Sequence, residues 1–402
     1  MKLYTAAIIC SSLVATASAQ SKLIFKGKVS GDTKGYNKVF TYTNHTTKDT
    51  AIISNGTFTM ELPYEGPVLQ LFYDEYDIRN NGMYQPYGVL IDKPGTYYLT
   101  NADISKGFHN TKVTGGKTPE LYQSYNERQS AAFKQVNAAL EKQYGKGWLP
   151  ETDPKAEALS NSRDSLQKAI VVPMIMSFVK ENKDSYVSAF AVGGYARSMM
   201  SVDELEKTYA MFSPAVKKTD DGKKIANYIQ GLKSSAIGAT VKNFTAVSPE
   251  GKQFDFASLK GKYVIIDFWA SWCSPCRKSF PHMREVYQTF KSKDFEMLSI
   301  SIDKDKAAWL KAVAEERNPW MQTLDDNSVA DKGFAITGVP TTYLIDPNGK
   351  IILKEVGFES DKKGPMELKL EELFGKSVPV AATQKKEEKK EAVKMVEMKA
   401  MQ

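Results

Sequence analysis

Two cysteines, Cys273 and Cys276 in the run Trp272-Cys273-Ser274-Pro275-Cys276, are the residues of this 402-residue chain best suited to chemistry. A Cys-x-x-Cys pair supports three readings: a redox dithiol, half of a zinc site, or a structural disulfide. Tetrahedral zinc needs two further ligands, usually a second Cys pair or a His pair at short spacing. The one other cysteine, Cys10, lies in an N-terminal leader, and His282, the nearest histidine, stands alone. His45 and His109 have no Cys/His cluster around them and read as ordinary surface or turn residues. No metal is expected. A bridge between such near neighbours closes almost no loop in the unfolded chain and so stabilises little. A redox pair remains, and its dithiol/disulfide cycle calls for no cofactor.

The surrounding sequence positions that pair. Tyr263 to Trp269 is a mainly apolar run of the buried-strand kind, Ala270-Ser271-Trp272 leads out of it, and a helix is expected to begin around Cys273. A thiolate at a helix N-terminus faces unpaired backbone N–H groups and the positive end of the helix dipole, which lowers its pKa. Cys276, one turn further in, is expected to be shielded. Cys273 is then the nucleophile and Cys276 the residue that resolves a mixed disulfide. Pro275 restrains the turn where a missing N–H is tolerated. Asp267 sits inside the apolar strand, where burial raises a carboxyl's pKa and fits it for proton exchange near neutral pH; pairing with a nearby Lys is the alternative.

Downstream, Phe280, Met283, Tyr287 and Phe290 recur at helical spacing within Arg277 to Lys293. A strand is predicted over Phe295 to Ile302 and a helix over Lys306 to Glu316. Two more strands, Thr341 to Ile345 and Ile351 to Lys354, flank the Asn348-Gly349 turn. Residues 236–375 therefore read as an α/β domain with a mixed sheet flanked by helices.

The front of the chain has a different texture. Residues 20–115 are β-rich, with an expected hairpin over Ala51 to Met60 about Asn55-Gly56 and further runs at Val68 to Tyr73, Tyr87 to Ile91, Thr96 to Thr100 and Lys112 to Thr114. This suggests a small sandwich or barrel. Residues 116–235 switch to helical periodicity, punctuated by Gly193-Gly194, Pro214 and Asp221-Gly222. Residues 1–19 read as a signal peptide, with Lys2, an apolar stretch from Ala6 to Ala15, and a small-x-small cleavage site at Ala17-Ser18-Ala19. Lipidation of Cys10 is disfavoured because Ile9 stands where a small residue is wanted. Residues 376–402 form a Lys/Glu-rich tail expected to be disordered. Its seven Lys and four Glu supply +3 of the net charge of +7. The remaining charge forms no basic face or aromatic-basic stripe, which excludes a nucleic-acid footprint.

The stretch Val264-Ile265-Ile266-Asp267-Phe268-Trp269-Ala270-Ser271-Trp272-Cys273-Ser274-Pro275-Cys276-Arg277 resembles the active-site segment of thioredoxin-fold proteins. Its spacing to Gly338-Val339-Pro340-Thr341-Thr342-Tyr343-Leu344-Ile345-Asp346, and Gly261-Lys262 ahead of the strand, resemble the exported TlpA/ResA-like reductases. The resemblance covers about a third of the chain. The preceding β-rich and helical segments are more loosely similar to accessory regions attached to this subgroup. It implies an exposed nucleophile at Cys273, a resolving Cys276, a redox disulfide between them, and a proton acceptor at Asp267. Pro340 matches the cis-proline facing the pair, with Val339 backbone groups holding substrate in strand-like fashion. Trp272, Ser274 and Pro275 complete the implied substrate surface, while Trp269 and Pro281 match architectural positions. The subgroup often carries an acid three residues after the second Cys; here Ser279 stands there, leaving Asp267 to act alone.

The expected function is that of an exported thiol–disulfide oxidoreductase in a Gram-negative periplasm or envelope. Its expected partners are disulfide-containing envelope proteins and a membrane thiol electron donor. Net oxidase or isomerase activity is a second reading, since Ser-Pro between the cysteines does not decide the direction. An envelope scaffold acting through the front 235 residues is a third. A peroxidase is disfavoured, because peroxiredoxins carry Thr where Ala270 stands.

Overall fold

A computed structural model describes residues 21–43, 47–82, 86–145, 153–194, 196–292, 294–358 and 363–375. The expected leader with Cys10, His45 and the Lys/Glu-rich tail lie outside them. The chain divides into two compact units, Met1–Ala191 and Val192–Gln402, so the helical stretch 116–235 is shared between them.

In the first unit eight strands, β1 (Lys22–Ser30), β2 (Lys38–Thr43), β3 (Thr47–Ile52), β4 (Thr57–Pro63), β5 (Val68–Asp74), β6 (Tyr87–Ile91), β7 (Gly95–Asp103) and β8 (Lys112–Thr114), form two four-stranded sheets. Their orders are β4-β1-β7-β8 and β3-β2-β5-β6. Alternation in β1 and β4 sends Leu23, Phe25, Phe58, Met60 and Leu62 into one core with Val39, Phe72, Val89 and Ile91 of the other sheet. Phe25 and Phe72 meet edge to face at 4.8 Å. This is the sandwich that the strand spacing predicts.

The hairpin expected at Asn55-Gly56 is not formed. The turn itself is there, with Asn55 and Gly56 at φ 49° and 69°, and Ser54 bridges Thr57. Yet β3 pairs with β2 and β4 pairs with β1, so the turn carries the chain from one sheet to the other. An Asn-Gly pair encodes a local reversal. Which edges then zip is decided by burial on each face. Helices α1 (Lys117–Tyr144), α2 (Ala156–Glu181) and α3 (Tyr186–Gly193), the last ending across the division, complete the unit.

The second unit opens with short helices: α4 (Ala196–Met199), α5 (Val202–Met211), α6 (Pro214–Lys217) and α7 (Asp220–Ser234). Asp221-Gly222, expected to break the helical run, lies in the first turn of α7, capped by Thr219, whose hydroxyl accepts the Gly222 N–H. Gly231 of α7 sits against the backbone near Asp331 and Ala335: a Cβ there would fall 2.5 Å from the Asp331 carbonyl and 2.6 Å from the Ala335 nitrogen. Only glycine allows that approach.

Strands β9 (Thr245–Val247), β10 (Gln253–Asp255) and β11 (Tyr263–Trp269) precede helix α8 (Ser274–Phe290). Then come β12 (Phe295–Ser301), α9 (Lys306–Glu316), β13 (Met321–Leu324), β14 (Thr341–Ile345), β15 (Ile351–Val356) and α10 (Pro365–Phe374). The seven-stranded sheet runs β10-β9-β13-β12-β11-β14-β15. It is mixed: β11 lies parallel to β12 and antiparallel to β14. Here another Asn-Gly pair, Asn348-Gly349, does join paired neighbours, β14 and β15.

Strand β11 is buried on both faces. Ile265 and Trp269 pack with Phe280, Val286 and Phe290 of α8, Trp309 of α9 and Met366 and Leu370 of α10. Val264, Ile266 and Phe268 pack on the other face with Leu298, Phe334 and Tyr343. Asp267 shares the α8 side with Ile265 and Trp269 by strand alternation. The result is a thioredoxin-like mixed sheet flanked by helices.

Candidate active site

Cys273 is the N-cap of α8, with φ −83° and ψ 96°, and its sulfur accepts the Cys276 N–H at 3.2 Å. Pro275 occupies the first turn, where no N–H is missed. The helix therefore presents its N-terminal dipole to Cys273, as the Ser-Pro sequence between the cysteines suggests. Cys273 and Cys276 are joined by a disulfide, with Cα atoms 5.3 Å apart.

One expectation needs correcting. Cys273 is not exposed in this state: it is 4% accessible, against 1% for Cys276. The Val339 carbonyl oxygen lies 3.5 Å from Cys273 Sγ, and the peptide bond to Pro340 is cis. A loop more than sixty residues away thus lies against Cys273, which local spacing does not reveal. What distinguishes the cysteines is helix position. Cys273 lies at the cap and Cys276 inside the first turn, and both belong to the apolar cluster of Trp269 and Phe280.

Around the pair, Trp272 is 68% exposed, while Ser274 and Pro275 are exposed on the same turn. Val339 is half-buried and Pro340 buried. Pro340 hands its carbonyl to the Gly357 N–H at 2.9 Å, and Thr341 Oγ1 donates to the Gly338 carbonyl at 2.8 Å. The implied substrate residues are therefore gathered at one end of the sheet. Trp269 is fully buried against Phe280, with ring centroids 5.1 Å apart, and belongs to the scaffold.

Asp267 is 1% exposed. Its partner is a hydroxyl and not a Lys: Ser299 Oγ donates to Asp267 Oδ2 at 2.8 Å, and the Trp320 indole N–H donates to Ser299 Oγ at 2.8 Å. Burial pushes the Asp267 carboxyl up to about 7, the Ser299 hydrogen bond pulling weakly the other way. Ser279, where the subgroup often has an acid, donates its hydroxyl to the Cys276 carbonyl at 2.7 Å.

Three features escape a reading of the sequence. Asp303, 5% exposed, accepts the Ser271 N–H at 2.8 Å and the hydroxyls of Ser271 and Ser301 at 2.7 and 2.6 Å. It ties the loop entering the Cys pair to the end of β12. The alternation Ser299, Ser301, Asp303 beside an apolar strand is the available signal. Arg277 donates to Glu316 at 2.6 Å and to Glu315 at 2.7 Å, clamping the start of α8 to the end of α9. His282 Nε2 lies 2.7 Å from Glu367 Oε1, so the lone histidine is partnered across 85 residues. Asp303→Ala is expected to leave one buried and two half-buried donors without their acceptor and to destabilise the protein by about 1–3 kcal/mol, read by urea unfolding. No measurable loss would show that the loop holds itself.

The AhpC/TSA family matches residues 237–354. The thiol-disulfide oxidoreductase ResA of Bacillus subtilis (strain 168) is 32% identical over 122 residues, covering 30% of this chain and 68% of that protein. ResA of Bacillus cereus (strain ATCC 10987 / NRS 248) is 31% identical over 152 residues, 38% of this chain and 84% of that protein. Among solved structures, the thioredoxin domain of a thiol-disulfide oxidoreductase from Bacteroides vulgatus is 36% identical. It covers 31% of this chain and 90% of that one, with a TM-score of 0.29. A thiol:disulfide interchange protein from a Bacteroides species is 32% identical, covers 35% and 92%, and has a TM-score of 0.32.

Proposed function

The chain belongs to the ResA/TlpA-like thiol–disulfide oxidoreductases, and from that premise we propose that it reduces disulfides of envelope proteins through a cycle on Cys273 and Cys276. One observation carries the reading. The two cysteines are bonded to each other at the head of α8, with Cys273 Sγ 3.5 Å from the Val339 carbonyl of the Val339-Pro340 loop.

In the reduced enzyme the Cys273 thiolate attacks one sulfur of a substrate disulfide, forming a mixed disulfide and releasing one substrate thiolate. Cys276 then gives its proton to Asp267 while its sulfur attacks Cys273 Sγ. The mixed disulfide breaks, the second substrate thiolate leaves, and the Cys273–Cys276 disulfide remains. Two electrons have passed to the substrate, and a membrane dithiol donor returns them. The exposed Trp272 and the Ser274-Pro275 turn form the platform on which the substrate chain lies, with Val339 backbone groups pairing to it.

Export rests on Lys2, the apolar stretch to Ala15 and the Ala17-Ser18-Ala19 site, and it sets the periplasm as the working compartment. The domain plan of signal 1–19, accessory β domain 20–115, helical region 116–235, thioredoxin-like domain 236–375 and tail 376–402 belongs to the same proposal. Reduction of insulin by dithiothreitol tests the activity: the protein should accelerate precipitation of the free B chain. No acceleration over the uncatalysed reaction would remove the reductase reading.

A further inference from the structure

Behind the cysteines lies a cavity of about 50 Å³ whose walls bring together Asp267 of β11, Ser279, His282 and Met283 of α8, Glu355 of β15 and Glu367 of α10. That volume admits water. Thr342 of β14 and Pro340 complete the wall on the substrate side. The titratable groups facing Asp267 across this space are therefore His282, Glu355 and Glu367. From β12, the neighbouring strand, it meets only the Ser299 hydroxyl.

Each of these groups has a different freedom to move a proton. Ser279 is committed to the Cys276 carbonyl at 2.7 Å, and a hydroxyl does not titrate in the working range. Glu355 accepts the Met366 N–H at 3.1 Å and serves the start of α10. His282 and Glu367 form a contact of 2.7 Å with side chains only 12% and 11% exposed, and Glu285 Oε2 stands 4.0 Å from the other ring nitrogen. For Glu367, burial acts upward, but the His282 hydrogen bond, backbone N–H groups and the His282 charge together hold its carboxyl below the ordinary value. The Glu367 carboxylate fixes one ring nitrogen and with it the orientation of the imidazole.

We propose that His282, held by Glu367, relays protons between Asp267 and the protein surface through this cavity, and so sets how fast Asp267 is reset between turnovers. The inference rests on the role given to Asp267 above. When Cys276 attacks Cys273, its proton goes to Asp267. The substrate lies over the Val339-Pro340 face at that moment, while Asp267 and His282 still share the cavity. The proton passes by way of water to the His282 imidazole, which becomes an imidazolium facing the Glu367 carboxylate, and then leaves to solvent. Asp267 is again a carboxylate before the next dithiol cycle. No electron moves in these steps. His282 is a positioning and relay residue and touches no reacting sulfur.

Insulin turnover by the full-length protein, followed from about pH 5 to about pH 9, tests this with His282→Gln, Glu367→Gln and Asp267→Asn, singly and in pairs. Both glutamine variants keep a polar side chain of similar reach. His282→Gln is expected to slow turnover roughly tenfold, with a raised solvent deuterium isotope effect and a shifted pH profile; Glu367→Gln should act in the same direction. In the Asp267→Asn background, His282→Gln should add nothing. An unchanged rate and profile in His282→Gln, or an equal slowing in both backgrounds, would overturn the relay while leaving the role of Asp267 intact. If Asp267→Asn alone changes neither rate nor profile, the assignment of Asp267 falls, and the relay with it.

Discussion

Insulin reduction is expected to fall to the uncatalysed rate when Cys273 is replaced by Ser, whereas Cys276→Ser should accumulate a covalent mixed disulfide with its substrate. The two thiols differ in their place on one helical turn and in everything that follows from it. At the N-cap, the Cys273 sulfur already accepts the Cys276 N–H at 3.2 Å in the disulfide. A thiolate formed there keeps that bond and gains the favourable end of the α8 dipole, so a larger share of Cys273 is nucleophilic at neutral pH. A serine hydroxyl in the same place stays protonated and attacks nothing. Cys276 has no such terminus to itself. It lies inside the first turn, 1% exposed, and its sulfur acts when Cys273 is already tied to substrate. Removing it therefore spares the first step and blocks the second. Non-reducing electrophoresis of the Cys276→Ser protein with oxidised insulin should show a band that dithiothreitol removes and that is missing in the double variant. Trapping by Cys273→Ser in place of Cys276→Ser would reverse the assigned roles.

How much of such a site is legible in a sequence depends on whether the signal is local. The strand Tyr263–Trp269, the helix start at Cys273 and the helix Lys306–Glu316 depend on nearby residues, and each stands where its periodicity predicts. Two Asn-Gly pairs mark the limit. Asn348-Gly349 joins two paired strands, while Asn55-Gly56 joins strands that belong to different sheets. The dipeptide is the same, and both turns carry the chain round. The difference lies in partners: β4 buries its alternate residues beside β1, and β3 pairs with β2, contacts that span distances no turn motif reports. Strands β9, β10 and β13 are three or four residues long and too short for a period to be counted. Helix α10 is bracketed by Pro365 and Gly375 in the manner of a start and a stop, a local signal that the sequence reading did not use.

The same division runs through the site. Cys273, Cys276 and Pro340 are marked by motif, but the cover over Cys273 comes from Val339, and the acceptor for the Ser271 loop is Asp303. His282 is a bland residue in its own helix and becomes interesting only when Glu367 arrives from the last helix. Side chains that act through long-range partners leave little trace in composition. Period-2 polar residues at the end of an apolar strand, as in Ser299, Ser301 and Asp303, are the trace worth searching for.

Asp267→Asn is expected to stabilise the disulfide form at alkaline pH while slowing turnover, two effects of opposite value from one atom. The folded protein holds the Asp267 proton up to about 7, whereas the ordinary carboxyl releases it near 3.8. Between those values the folded state binds more protons than the unfolded one, so stability falls as pH rises through the interval. Below about 3.8 no penalty is felt; above about 7 the full penalty of a buried carboxylate remains. An interval of about three pH units bounds that penalty at about 4 kcal/mol, with relaxation around the charge reducing it. Asparagine carries no charge at any pH, and its carbonyl oxygen can still accept the Ser299 hydroxyl. The variant should therefore unfold at higher urea than the parent at about pH 8 and at nearly the same urea at about pH 4. A stability difference that does not grow with pH would mean that Asp267 is ionised at little cost in the folded state. Turnover should drop by roughly a hundredfold, the usual scale for losing a positioned general base. A protein that keeps a destabilising carboxyl in the middle of its central strand keeps it for a reason other than stability, and the proton transfer at Cys276 proposed above is such a reason.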